Sequence, residues 1–321
     1  MPVGRVRTVG ERLKGRTGVL NSVSRLMKSG KSFRLPERRR ESGWPAAFGL
    51  TVTAVCAALA ISGSSSAAAY PVQQAGVLAG NDISYPQCGK TLPSGQAFGI
   101  VAVNEGLPNN TNPCLEDEIS WAQFSVGGTR QPKASLYVNT ADPGNHGVTD
   151  WPTSNTDPVF GNHDKDPYGT CRGGNSQACA WQYGWDMALM DARTRGVQSP
   201  GSYRWWLDLE TANSWQSSTR NNRADLEGMA FYFRHIGAKV GIYSTASQWN
   251  PIVGTVPPSS PLYRLPDWRP GAKTLAQAKK NCRLAPLTGG GTVTVTQWKT
   301  PSANSDFSCP APPPKAKAKR S

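Results

Sequence analysis

The sequence predicts an α/β fold: a (β/α)8-type barrel, irregular in places, with a disulfide-stapled insertion on one rim. Three observations carry this expectation. Short apolar, β-branched runs alternate with longer stretches of helical spacing, the pattern of a parallel sheet covered by helices. The alternating region, residues 70–309, is about 240 residues long, enough for a barrel with a large core. No Gly-x-Gly-x-x-Gly turn follows the first strand, which argues against a dinucleotide-binding sheet.

The elements follow in order. Asn81–Tyr85 is a short strand, and Gly99–Asn104 (Gly-Ile-Val-Ala-Val-Asn) a second, apolar one. Cys114–Phe124 has helical spacing, with Leu115, Ile119 and Trp121 toward a core, and Ala134–Asn139 returns to a strand. From Thr140 to Gln177 the rhythm breaks. This stretch is rich in Asn, Asp, Gly and Pro and reads as a rim insertion stapled by Cys171 and Cys179; its His146, Trp151, His163 and Asp164 are candidates to border a groove, with a plain loop role the favoured alternative for each. Trp181–Arg195 is a helix stopped by Gly196, and Arg204–Leu209 a strand. Arg223–Ile236 is a helix with Leu226, Met229, Ala230 and Phe233 on one stripe and Gly237 as its stop. Val240–Tyr243 is a strand, Ala272–Asn281 a shorter helix, and Thr292–Trp298 a closing strand of alternating β-branched residues.

Charge and cysteine content bound the environment. The net charge is +14, but residues 1–69 hold nine Arg and three Lys against three Glu, and Lys315, Lys317, Lys319 and Arg320 add four positive charges, which leaves 70–314 near neutral at +1. A basic face for nucleic acid is therefore not expected on the folded region. Residues 1–69 read as a leader: Arg38-Arg39-Arg40, an uncharged apolar run Ala46–Ile61, then Ser64-Ser65-Ser66-Ala67-Ala68-Ala69, the pattern of a secretory signal cut near Ala69. The run is short for a bilayer span, so a secreted or wall-associated monomer with no stable membrane association after cleavage is expected. Residues 310–321, Pro-rich and then Lys/Ala-rich, read as an extended, disordered tail. Cys56 leaves with the leader. The six others, Cys88, Cys114, Cys171, Cys179, Cys282 and Cys309, suit three disulfides in an exported chain. Fifteen pairings are possible, and nearness in sequence suggests 88–114, 171–179 and 282–309. No metal site and no cofactor are expected, because the Cys spacing is not that of zinc ligands and the chain has three His.

The chemistry concentrates in Trp205-Trp206-Leu207-Asp208-Leu209-Glu210. On a strand Asp208 and Glu210 leave one face, about 6–7 Å apart at Cβ, while Leu207 and Leu209 leave the other toward helices. Two carboxylates so close repel, and one tends to hold its proton, as a glycosidic proton donor must. The plainer alternative is a pair of acids that cap a helix or meet an Arg. Further groups stand at other strand ends: Asp82 and Ser84, Glu105, Gln297 and Trp298, with Asp306 in the loop after the last strand. No Gly-x-Ser-x-Gly elbow accompanies the three His, so a Ser or Cys hydrolase is poorly supported.

With these motifs in order along residues 80–306, the chain resembles the family 25 glycoside hydrolases, lysozyme-like muramidases. Gly80-Asn81-Asp82-Ile83-Ser84 is similar to the family's Gly-x-Asp-Val-Ser opening, and Val103-Asn104-Glu105-Gly106 to the end of its second strand. Leu207-Asp208-Leu209-Glu210 resembles its Asp-Val-Glu strand, Gly237–Ser244 its Gly-x-x-x-Gly-Ile-Tyr entry, and Thr296-Gln297-Trp298 its closing strand with the order changed. The size of the insertion, the segment Leu262–Trp268 and the extra disulfides depart from the family pattern. The resemblance implies cleavage of β-1,4 links in peptidoglycan or a related polysaccharide. It implies Glu210 as general acid, Asp208 as the group that orients the substrate acetamide or stabilises developing positive charge, Asp82 as their tuner and Asp306 as a fourth carboxylate. Glu105, Tyr243, Trp249, Gln297 and Trp298 are expected to bind substrate, the aromatic rings by stacking on sugars. The alternative is a wall- or carbohydrate-binding protein that keeps the barrel without turnover.

Overall fold

The computed structural model describes residues 79–146, 150–157, 161–162, 166–300 and 303–311. The leader with its apolar run, nearly all of the tail, and His163 and Asp164 lie outside the described residues. Strands β1 (Ala79–Ile83), β2 (Gly99–Ala102), β3 (Ala134–Asn139), β6 (Arg204–Asp208), β7 (Lys239–Tyr243), β8 (Asp267–Ala272), β9 (Val293–Lys299) and β10 (Asn304–Ser308) close into an eight-stranded barrel in the order β1-β10-β9-β8-β7-β6-β3-β2. Helices α1 (Leu115–Gln123), α2 (Gln177–Arg193), α3 (Thr219–His235), α4 (Ala246–Ile252) and α5 (Leu275–Asn281) connect the strands from β2 to β9. The rim insertion holds a small antiparallel pair, β4 (Thr156–Asp157) and β5 (Gly161–Asn162).

The barrel expected from the sequence is present, with its irregularity at one seam. Every pair from β1 through β2, β3, β6, β7, β8 to β9 is parallel, but β10 runs antiparallel to both β9 and β1. Residues 300–303 alone separate β9 from β10, far too few for the crossover that a parallel neighbour needs. Two barrel strands were not expected from the sequence, nor was the small pair β4–β5. In β8, Pro270 and Gly271 interrupt the strand pattern, and the register against β9 shifts twice there. In β10, Asn-Ser-Asp-Phe-Ser is too polar to read as a strand.

Helix starts show what local chemistry decides. Ser176, Ser218, Thr245 and Thr274 each accept a hydrogen bond from the backbone N–H three residues on, which fixes the first turns of α2, α3, α4 and α5. Helices α2 and α3 consequently begin four residues before the starts expected from the sequence, Trp181 and Arg223, and α5 begins after Ala272, which belongs to β8.

Alternation along the strands makes two cores. Trp205 faces out and stacks on Phe233 of α3, with ring centroids 4.4 Å apart, and Leu207 and Leu209 join the same outer layer. Trp206 faces in and packs with Phe98, Ile100, Trp268 and Val295 as a plug, edged by Tyr137 and Tyr243. Small residues make room for it. A Cβ on Gly241 would lie 2.3 Å from the Trp206 ring, and one on Gly80 2.4 Å from Phe98. The disulfides are Cys88–Cys114, Cys171–Cys179 and Cys282–Cys309, the pairing that nearness in sequence suggested.

Helices α2 and α3 approach to backbone contact. A Cβ on Gly184 would stand 1.9 Å from the Asp225 carbonyl oxygen, and one on Gly228 2.0 Å from that of Trp181. Trp181, Trp185 and Phe231 then close around the crossing as an aromatic cluster. Gly228→Ala gains helix propensity of about 1 kcal/mol but must separate the helices. The expected result is a net loss of roughly 2 kcal/mol and a melting temperature about 4–8 °C lower by circular dichroism. An unchanged or higher melting temperature would refute the close crossing.

Candidate active site

The C-terminal ends of the parallel strands surround a mouth in which four acids meet. Asp82, next to last in β1, is buried and accepts from Asn304 Nδ2 at 2.9 Å and from Gln297 Nε2 at 2.8 Å. Gln297 Oε1 in turn accepts from the Tyr243 hydroxyl at 3.3 Å, so a polar chain crosses the mouth from β7 to β1. Asp306 is fully buried and accepts from Trp268 Nε1 at 2.8 Å. Its place corrects the sequence reading: it belongs to β10, paired across from Gln297 and Gly80, rather than to a loop.

Asp208 ends β6 level with Asn139 of β3 and Tyr243 of β7. It is 6% exposed, and its Oδ1 meets no donor among the described residues. Glu210 stands two residues past the strand, half-buried. Trp215 Nε1 and the Asn213 N–H both donate to its backbone carbonyl, at 2.9 and 3.2 Å, and so hold the turn that carries it. The two side chains do reach one cleft, as strand alternation required.

Burial dominates the electrostatics. It pushes the Asp208 carboxyl well above the ordinary aspartate value, and the charges of Glu210 and then Asp82 push it further. Burial likewise raises Asp306, followed by the charge of Asp82 and a hydrogen bond with it. Asp306 Oδ2 meets no hydrogen-bond donor among the described residues. Asp82 is raised by its own burial, against the lowering effect of Asn304 and Gln297. The phenols of Tyr137 and Tyr243 are pushed up by burial and then by the nearby acids, and they stay neutral donors.

The mouth opens as a cavity of about 450 Å³ whose wall includes Asp82, Tyr85, Asp208, Glu210, Tyr243 and Asn304. A second cavity of about 710 Å³ adjoins it, lined by Trp298, Gln248 and Lys273 among others. Glu210, Tyr243, Gln297 and Lys299 line both, so the two form one groove with Glu210 at the junction.

Two expected substrate-binding residues are not in the groove. Trp249 is 2% exposed, packs in the outer core and donates its indole N–H to the Gly254 carbonyl at 3.1 Å, so it offers no ring face to a sugar. Glu105 is exposed beyond β2 and lines neither cavity; its neighbour Gly106 does reach the mouth. The chain bends away there because Arg195, paired with Asp191 at 2.6 Å, holds the Pro108 carbonyl and the Thr111 hydroxyl. The described part of the rim insertion also stays out of the groove. Trp151 is buried beside Tyr183, and Asn175 holds the ring of His146.

Sequence reading missed Tyr85, Tyr137, Asn139 and Asn304. Period-two alternation along β3, counted back from Asn139 at its end, was a usable signal for Tyr137 and Asn139. Tyr85 and Asn304 gave none, because one sits in a short 3-10 turn and the other in the unrecognised β10.

The family model described as "Lysozyme-like protein 1" matches residues 194–268, the segment that carries Asp208, Glu210 and Tyr243. Over 49 residues the chain is 41% identical to "Probable GH family 25 lysozyme 4" of Dictyostelium discoideum, 15% of this chain and 22% of that protein. Here the chain resembles the family 25 glycoside hydrolases. The likeness expected from the motifs is borne out, although the chain spans less than a quarter of the length of the curated relatives it matches. Among solved structures, the muramidase of Trichobolus zukalii is 14% identical, covering 73% of this chain and 95% of its own, with a TM-score of 0.45. The family GH25 lysozyme of Aspergillus fumigatus is 15% identical, covering 73% and 94%, with a TM-score of 0.43.

A carboxyl raised by burial keeps a proton in the folded state that the unfolded chain has released. Its stabilising contribution is full below about pH 4 and is lost as pH rises through the folded value. Asp306→Asn retains an acceptor for Trp268 and gives Asp82 an N–H donor that no pH in this range removes. The variant is expected to melt higher than wild type at pH 8 and to lose less stability between pH 5 and pH 8. An identical slope in the two proteins would mean that Asp306 is ionised throughout.

Proposed function

We propose that this chain is an exported, divergent muramidase of the family 25 type. It would hydrolyse the β-1,4 bond between N-acetylmuramic acid and N-acetylglucosamine in peptidoglycan, acting as a monomer without a cofactor. The observation that carries the proposal is the position of Glu210 at the junction of the groove's two cavities, with Asp208, Asp82 and Asp306 clustered deeper in the same mouth. The leader pattern of residues 1–69 and the three disulfides support export.

In this scheme a glycan lies along the groove with its scissile oxygen beside Glu210. Glu210 protonates that oxygen as the bond to the anomeric carbon lengthens. The neighbouring 2-acetamido oxygen attacks the same carbon, so no protein nucleophile is required. Asp208 suits the acetamide: its free Oδ1 accepts the N–H, and positive charge developing on that group draws the carboxyl toward its anionic form. Asp82, held by Asn304 and Gln297, keeps a second negative charge nearby, and Asp306 is the fourth carboxyl beside it. Water then opens the intermediate with Glu210 as base. Tyr243 and Trp298 border the path and offer apolar faces to sugar rings.

The test is release of new reducing ends from purified peptidoglycan. Glu210→Gln should lower kcat by about 10²- to 10⁴-fold with little change in KM. Wild-type product levels from that variant would overturn the assignment of Glu210. Wild-type protein that pellets with peptidoglycan yet releases nothing would instead identify a binding protein on the same barrel.

A further inference from the structure

The groove has unlike ends. Toward the barrel axis its wall carries Asp82 and Asp208. Past Glu210, the 710 Å³ cavity has no other carboxylate in its lining but two lysines: Lys273, just after β8, and Lys299, the last residue of β9, which stands at the junction with the acidic end. Both are exposed. Among the described residues the ion pairs are Arg195–Asp191 and Arg223–Glu227, and neither lysine takes part in one.

Lys299 lies across from Asn304, whose amide holds Asp82. Both oxygens of Asp82 are already taken by amides, so the nearest rim acid on that side has its partners. Lys273 is set by its own backbone, whose N–H donates to Gln277 Oε1 at 2.9 Å. Between the lysines, Trp298 presents a half-buried ring, and Thr245, Ser247 and Gln248 supply polar groups across the cavity. A neutral sugar would use the ring and the hydroxyls but leave two cations idle. An anionic substituent on the sugar would use all of them.

We propose that Lys273 and Lys299 form a carboxylate-binding subsite beyond Glu210, so that the protein selects glycan strands bearing carboxylates over neutral ones and seats them in one direction. The proposal rests on the hydrolase reading for its kinetic form but not for its binding form. The carboxylate has two possible sources on such a strand: the sugar's own lactyl ether once peptides are stripped, or the attached peptide in the intact polymer.

The experiment uses the full chain on peptide-stripped strands and on intact strands, each before and after carbodiimide amidation of their carboxylates. Amidation should raise KM by roughly threefold to tenfold on the strand that supplies the carboxylate, the size expected for one or two exposed ion pairs. Which strand responds names the source. The Lys273→Gln/Lys299→Gln double variant should erase that gap, and 0.5 M salt should narrow it in wild type. Equal KM values before and after amidation on both strands, or a double variant that keeps the gap, would overturn the subsite while leaving the hydrolase intact. Absence of cleavage from every strand would overturn the hydrolase instead. Fluorescence anisotropy with the same four strands then decides the subsite: a binding gap lost in the double variant upholds it, and equal binding refutes it.

Discussion

Desolvation of carboxyl groups governs this molecule. The aromatic plug of Phe98, Trp206 and Trp268 keeps water from the barrel interior, and Asp82, Asp208 and Asp306 sit directly against it. Among the described residues no lysine or arginine forms an ion pair with these acids. Amides and an indole serve instead. A cation would quench the field of the mouth, whereas neutral donors leave it negative and poised. The closed barrel makes this tolerable, because its wall has no open sheet edge that also needs partners.

Much of the fold was legible because apolar patterning reports burial directly. β3 is recovered residue for residue, and β6 and β7 to within one residue, since their runs are continuous and β-branched or aromatic. Elements built by polar residues were not legible. β10 is a strand because it has β9 and β1 to bond with, a fact of tertiary pairing that Asn-Ser-Asp-Phe-Ser does not announce. The site follows the same division. Asp208 and Glu210 were readable from alternation, since the period fixes direction as well as position. Glu105 was placed by its proximity to a strand end and Trp249 by the resemblance, and neither fixes the direction of a side chain. The bend held by Arg195 turns one outward, and helix packing takes the other into the core.

The rim insertion is anchored away from the mouth. Cys171–Cys179 ties it to α2, and Tyr168 bonds Glu227 of α3, whose other carboxylate oxygen accepts from Ser260 at 2.5 Å. Asn155 gathers the loop further by accepting from the Cys171 N–H at 2.6 Å and donating to Asp166 and Gly169. The length that sets this chain apart from the family pattern is thus spent on the flank of the α2–α3 layer.

The antiparallel seam has a consequence for when the molecule becomes competent. Asp82 comes from the first strand of the barrel and Asp306 from the last, more than two hundred positions later, and they meet only where β1 and β10 zip together. Cys282–Cys309 then fastens that final strand to the end of α5. A chain in which β10 has not docked would lack both the fourth acid and the wall beside the first. Assembly of the mouth therefore depends on docking of β10, and a truncation that removes this strand alone would leave the cylinder open.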